Sequence, residues 1–439
     1  MSECTCNHRN EGGDELPERK EVSGVRGLFA LSPVMVLLVV YLVSSLLAGD
    51  FYRIPIGVSF VVAAVYSIMI CTERSFAKRV NIFSAGAADS NIMYMIWIFV
   101  LAGIFASSAK AVGAVDATVA LTMRLIPATY LPAGIFLAAC FISMSIGTSV
   151  GTIVALAPVA IGLSGEIGAD LAFMVSIVVG GAFFGDNLSF ISDTTIASTQ
   201  SQGCGMKDKF RTNLIIVLPA ALVTLGIYVF SGVTTDYVYD IPDAPWYLAI
   251  PYMVVIVSAL CGMNVLNVLV LGILLTDTIG LGYGMPMLTM FESAGSGLQS
   301  MCELILVTLL AGGIMNMVKT AGGFDWLIRV MTRRIGSRRG GEGIISLLTA
   351  LTNICTANNI AKDISTRFGI SPRRSASLMD TTSCFIQGIL PYGAQLLMAA
   401  GLSGLSPLEI IPKLYYPMLI GAMVVLAILF QIPKTRELN

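Results

Sequence analysis

The chain has 439 residues, of which 56% are apolar and only 12% are charged, and its formal net charge is -1. Ordinary soluble domains carry about 25% charged residues, so this chain lacks the ions to coat a globular surface, and its balanced charge offers no basic field to nucleic acid. Backbone polar groups in lipid must be satisfied within the segment that carries them, so the expected class is an all-α polytopic membrane protein.

The first 27 residues form a polar tail holding ten of the 53 charged side chains. It reads as a disordered cytoplasmic tail. Cys4, Cys6 and His8 crowd it and form a weak metal-binding pattern. No basic stretch runs directly into a short apolar segment and cleavage site there, so the first apolar segment is expected to stay as an anchor. The remaining cysteines are scattered and read as small hydrophobes. Apolar runs of roughly 20 residues, enough to cross about 30 Å of hydrocarbon, are predicted at 28–48, 55–71, 91–115, 168–187, 212–231, 246–262, 264–282, 301–320, 376–400 and 413–431. Two further stretches, 131–163 and 340–369, are apolar at their ends and broken centrally by Ser, Thr, Gly and Asn.

A shift of 209 residues lays Lys110, Gly113, Asp116 and Arg124 on Lys319, Gly322, Asp325 and Arg333. This is an internal repeat, and it pairs the two broken stretches. If both crossed the membrane, Lys207, Lys209, Arg211 and the Arg329 to Arg339 cluster would fall outside, against the positive-inside rule. Treated as re-entrant hairpins, they leave those residues, with Lys78, Arg79, Arg367 to Arg374 and Lys434, on the cytoplasmic side. Five crossings per half then make the halves run in opposite directions. The expected organisation is a first inverted repeat at 28–231 with its hairpin at 131–163, an external linker at 232–245, a second inverted repeat at 246–431 with its hairpin at 340–369, and a cytoplasmic tail at 432–439. Such inverted-topology repeats are the usual build of secondary transporters. The amphipathic stretches after Asp116 and Asp325 are expected to be interfacial helices.

Irregular backbone at membrane depth survives only where it is buried in protein or lines a cavity, so the broken segments mark the candidate site. The first tip, Gly147, Thr148, Ser149, Gly151 and Thr152, joins glycines to hydroxyl oxygens suited to a hard monovalent cation. Small residues that let helices approach, with Ser and Thr bonding back to their own helix, are the structural alternative. Phe184-Gly185-Asp186-Asn187-Leu188-Ser189-Phe190-Ile191-Ser192-Asp193-Thr194 ends an apolar helix with two carboxylates, which are costly in a membrane unless paired, protonated or ion-bound. Either Asp alternatively caps a helix. The expected sodium and proton site is Gly147, Thr148, Ser149, Thr152, Asp186, Asn187, Ser189, Asp193 and Thr194, with Na+ at Thr148, Ser149, Asp186 and Asp193. In the second half, Thr352, Asn353, Thr356, Asn358 and Asn359 form the matching tip. Asp380, Gln387, Tyr392 and Gln395 follow as a substrate site or second half-site. Leu188 to Thr194 can be laid on Gln387 to Gly393, which places Asp193 opposite Tyr392.

Residues 147–152 and 185–195 together resemble the motif pair of NhaC-type sodium/proton antiporters, within the wider ion-transporter superfamily. This chain has Asn187, Phe190 and Tyr392-Gly393 where that family often has Lys, Pro and Trp-Asn. The resemblance implies a secondary transporter with no cofactor. Its transported ions would be Na+ and H+, its carriage sodium/proton antiport by competition for membrane aspartates, and its seat the bacterial inner membrane with both termini cytoplasmic. Architectures of this kind are often homodimers. The alternative is sodium-coupled carriage or exchange of a small carboxylate or amino acid, of the malate/lactate type. His8 is the only histidine, so neither an H-E-x-x-H zinc site nor a Ser-His triad is available within the membrane, and no enzyme is expected.

Overall fold

The computed structural model describes residues 24–48, 55–190, 192–231, 244–261, 263–332, 337–351 and 354–433. Cys4, Cys6 and His8, and the linker acids Asp236, Asp240 and Asp243, lie outside them. The described residues are helical, joined by turns and short 3-10 segments, with no strand among them. In the first half the helices are α1 (Gly24–Ala48), α2 (Ile56–Ile70), α3 (Phe76–Ala87), α4 (Ser90–Val112), α5 (Ala114–Leu125), α6 (Leu131–Ile146), α7 (Ser149–Glu166), α8 (Leu171–Leu188), α9 (Asp193–Gln202) and α10 (Met206–Phe230). In the second they are α11 (Ile250–Leu260), α12 (Val265–Gly282), α13 (Met287–Ser300), α14 (Cys302–Thr320), α15 (Gly323–Thr332), α16 (Arg338–Leu351), α17 (Ile354–Arg367), α18 (Pro372–Ile389), α19 (Ala394–Ser403), α20 (Pro407–Ile410) and α21 (Tyr415–Phe430).

Among the described residues seven helical stretches are long and apolar enough to cross a membrane, or eight if the bent pair Pro407–Lys413 and Tyr415–Phe430 is one span. The chain is a multi-pass membrane protein. The expected runs at 28–48, 55–71 and 246–262 appear as the shorter apolar helices Arg26–Tyr41, Ile56–Ile70 and Trp246–Ser258. The run expected at 376–400 is two helices, α18 and α19, separated by Leu390 to Gly393. Pro391 has no N–H to give the ladder, and Gly393 lies so close to the Gln387 and Leu390 carbonyls that an added Cβ would meet them at 2.9 and 3.1 Å. Helices α3 and α13 fall where the sequence pattern showed only connecting segments.

The bounds of the helices carry the repeat further than residue identities do. A shift of 209 starts α2 on α12 and α5 on α15, and Gly113 and Gly322, both with positive φ, close the preceding helices α4 and α14 at equivalent positions. After α7 and α17 the shift becomes 201, which lays α9 on α19 from first residue to last and starts α10 on α20. The packing partners exchange accordingly: α3 rests on α14 and α13 on α4, α2 on α14 and α12 on α4, α9 on α17 and α19 on α7. Each half thus completes the other, as a two-fold-like arrangement requires.

The crossing of α4 and α13 shows why small residues sit there. A Cβ on Gly103 would lie 2.3 Å from the Gly297 carbonyl oxygen, and one on Gly297 would lie 2.2 Å from that of Gly103. Both obstacles are backbone and cannot swing aside, so the helices touch main chain to main chain. Gly297→Ala is expected to lower the melting temperature of the purified protein by the equivalent of about 1–3 kcal/mol, the usual cost of overpacking. An unchanged melt would show that this crossing is not tight.

Candidate ion-binding site

The stretch 131–163 is two helices, α6 and α7, joined by Gly147 and Thr148 alone, and α7 (Ser149–Glu166) is itself long and apolar enough to count as a candidate span. Gly147 has φ 74°, in the left-handed region that a residue with a Cβ adopts only under strain, and this closes α6 and turns the chain at once into α7. Beside the tip, α8 lies against α6 through Gly181 and Gly185. A Cβ on Gly185 would meet Ser143 Cβ at 2.4 Å and the Cys140 carbonyl at 2.6 Å. The Ser143 hydroxyl donates to the Ala182 carbonyl at 2.6 Å, and the Ser189 hydroxyl to the Met144 carbonyl at 3.2 Å. These contacts hold the unwound end of α8 next to the hairpin tip.

Asp186 lies in that last turn and is 5% exposed. Its carboxylate accepts from the Ser149 hydroxyl, at the first turn of α7, at 3.1 Å. Ser149 in turn accepts from the Gln395 amide at 3.0 Å, and the same amide donates to the Gln387 carbonyl at 2.7 Å. Gln387 completes the chain by donating to the Ser383 hydroxyl at 3.0 Å. One string of hydrogen bonds therefore runs from Asp186 in the first half to α18 and α19 in the second. The 201-residue shift makes Gln387 the counterpart of Asp186, so the half-sites meet as a carboxylate and a neutral amide. It also moves the earlier alignment by two residues: Asp193 stands opposite Ala394, not Tyr392. Tyr392 is outside the string, its ring edge-on to Phe60 with centroids 5.6 Å apart.

Other expected ligands behave differently. Thr152 is buried and donates to the Thr148 carbonyl of its own helix turn at 3.1 Å, which is the structural alternative anticipated for it. Thr148 is half-buried at the tip. Thr194 is half-buried, its hydroxyl 3.1 Å from that of Ser192, and Ser192 spans the break by donating to the Asp186 carbonyl while capping α9 through the Thr195 N–H. Asp193 opens α9, but its side chain lies outside the described residues, as do those of Thr356, Asn358 and Asn359 on α17, and Thr352 and Asn353 altogether.

A second cluster adjoins the first and was not expected. Lys209, taken from its neighbours Lys207 and Arg211 as a cytoplasmic charge, is 1% exposed and pairs with the fully buried Asp380 at 2.7 Å. Its ammonium also donates to the Asn187 carbonyl at 3.0 Å and the Thr195 hydroxyl at 2.6 Å. Asn213 donates to the same two groups, the Asn187 carbonyl at 2.9 Å and Asp380 Oδ2 at 2.7 Å. Asn187 itself donates to the Tyr416 hydroxyl at 3.1 Å. The available signal was helical phase: Lys209 and Asn213 are one turn apart on α10, in line with buried Ile216, Val217 and Ala220. Asp380 is thus the ion-pair partner of Lys209, beside the break between α8 and α9.

Comparison with known proteins bears on this arrangement. Residues 23–233 match the Na+/H+ antiporter family. The matched stretch is just under half of the chain. It holds Asp186, Ser149 and the hairpin tip, and the resemblance to NhaC-type antiporters extends past it. The Na(+)/H(+) antiporter NhaC of Alkalihalophilus pseudofirmus is 22% identical over 379 residues, covering 75% of this chain and 80% of that protein. The protein of the same name from Bacillus subtilis is 26% identical over 261 residues, 51% of this chain and 57% of the relative. The Malate-2H(+)/Na(+)-lactate antiporter of Bacillus subtilis is 23% identical over 203 residues, 46% of this chain and 43% of the relative. The crystal structure of the Alcanivorax borkumensis YdaH transporter covers 94% of this chain with a TM-score of 0.40 and 11% identity, a likeness too loose to define the fold.

Proposed function

We propose that the chain exchanges Na+ for H+ across a membrane, with the two ions competing for the Asp186 carboxylate. The observation that carries this reading is a buried carboxylate near the end of α8, bonded by the Ser149 hydroxyl beside Ser192 and in no ion pair among the described residues. A buried carboxylate of this kind needs a compensating cation or a proton. Na+ would take the Asp186 and Ser149 oxygens, with Thr148 and Asp193 as further ligands, while H+ would neutralise the same acid. One site then suffices for antiport, since a carboxylate holds either ion but not both well. If the exchange is not one-for-one, each net charge moved is worth about 2.3 kcal/mol per 100 mV. The charge pattern of the loops supports a cytoplasmic-membrane location with both termini inside, and an inverted-repeat homodimer belongs to the same proposal.

In liposomes holding the purified protein, an imposed Na+ gradient is expected to drive a pH change in the absence of any organic substrate. Failure of Na+ to move protons under those conditions would falsify the antiport reading. The similarity to a malate/lactate antiporter favours a second reading, in which the amides of Gln387 and Gln395 bind a small carboxylate. Those amides are bonded to each other and to Ser149 and Ser383, so a carboxylate would have to break that string. Uptake of labelled malate or lactate driven by Na+ is the outcome that would move the assignment to this reading.

A further inference from the structure

Away from the ion site, a cavity of about 330 Å³ opens where α21 ends against the starts of α16 and α18, lined by Arg338, Arg339, Glu342, Arg374, Phe430 and Gln431. Arg374 is buried and fixed: its guanidinium donates to Glu342 Oε2 at 3.1 Å, to the Ala427 carbonyl at 2.7 Å and to the Ile432 carbonyl. Arg338 Nε lies 3.7 Å from the other oxygen of Glu342. One carboxylate therefore faces two guanidiniums, and the exposed Arg339 adds a third at the same mouth. Among the described lining residues three positive charges stand against one negative, and Arg374 is held by three acceptors.

The other wall is apolar and continues out of the cavity. Phe430 is 63% exposed, and Leu429 and Val425 are exposed beside it on α21. Because α21 is one arm of a helix pair apolar enough to cross a membrane, its end marks headgroup depth. We infer that this cavity binds the phosphate of an acidic phospholipid, the headgroup against Arg338 and Arg339 and the acyl chains along Phe430, Leu429 and Val425. Guanidinium forks match phosphate oxygens. Free phosphate would meet the same arginines, but only a lipid would also cover the apolar wall. The inference rests on the membrane character of the chain and not on ion exchange. A bound lipid would join α16 to α18 and α21.

The test uses the full chain in a neutral detergent, with melting temperature read on adding phosphatidylglycerol, phosphatidylcholine or inorganic phosphate. Saturating phosphatidylglycerol is expected to raise the melting temperature by about 3 °C or more, with little effect of the other two. Arg338→Gln with Arg339→Gln should remove most of that gain, and the corresponding lysine variants should retain part of it. Arg374 is left intact, because its loss would strand a buried Glu342. If the double variant does not purify folded, Arg339→Gln alone, at an exposed position, gives the same comparison with a smaller change. Equal stabilisation by both lipids, or an undiminished phosphatidylglycerol response in the glutamine variants, overturns the assignment. Full stabilisation by inorganic phosphate overturns the lipid in favour of a free phosphoryl anion.

Discussion

Asp186→Asn is expected to abolish sodium-dependent proton movement while leaving the protein folded. The substituted amide keeps the shape of the carboxylate and still offers an oxygen to the Ser149 hydroxyl, now 3.1 Å away, so the string through Gln395 to the second half need not break. What it removes is the charge. An ion in a buried site loses several kcal/mol when the carboxylate that directly holds it is taken away, and at 1.4 kcal/mol per tenfold the expected fall in coupled flux is roughly 100-fold or more. The amide also has no titratable proton to give, so both sides of the exchange fail together. Flux in liposomes and melting temperature in detergent, measured on the same preparation, separate this from misfolding. Coupled flux at the parent rate in Asp186→Asn would remove this residue from the ion site. A melting temperature far below the parent's would make the carboxylate a structural support.

How much of this was legible in the sequence depended on what each feature left in the residues. The break between α6 and α7 was readable because Gly147 is forced by its backbone and the hydroxyls flank it, and the 209-residue repeat because Lys110, Gly113 and Asp116 kept their identities. The later shift to 201 left no such trace: Asp186 faces Gln387 and Asn187 faces Gly388, so only the matching bounds of α9 and α19 disclose it. Helices α3 and α13 were hidden because 12 and 14 residues are too few to signal a span. The burial of Lys209 was hidden for a different reason. Charge near a membrane end is read by its neighbours in sequence, and Lys207 and Arg211 outweighed the helical phase that turns Lys209 inward.

The Lys209 and Asp380 pair provides the second large effect. Each side chain is within 1% of complete burial, and taking one partner away leaves the other as an uncompensated charge, typically at a cost of about 3–5 kcal/mol. Lys209→Met is therefore expected to lower stability by that amount, measured by thermal or chemical denaturation in detergent. The loss has a second source, because the ammonium also ties the Asn187 carbonyl to the Thr195 hydroxyl across the break between α8 and α9. Combining Lys209→Met with Asp380→Asn removes both charges together and leaves Asn213 an oxygen to donate to, so most of the deficit should return. The double variant also separates a brace from an ion ligand. All three donors of the Lys209 ammonium are used by protein oxygens, which makes the pair a strut that sets the position of Asp186. On that basis the double variant should regain coupled flux along with stability. A double variant that melts like the parent yet moves no protons in response to Na+ would instead make Asp380 a ligand of the transported ion.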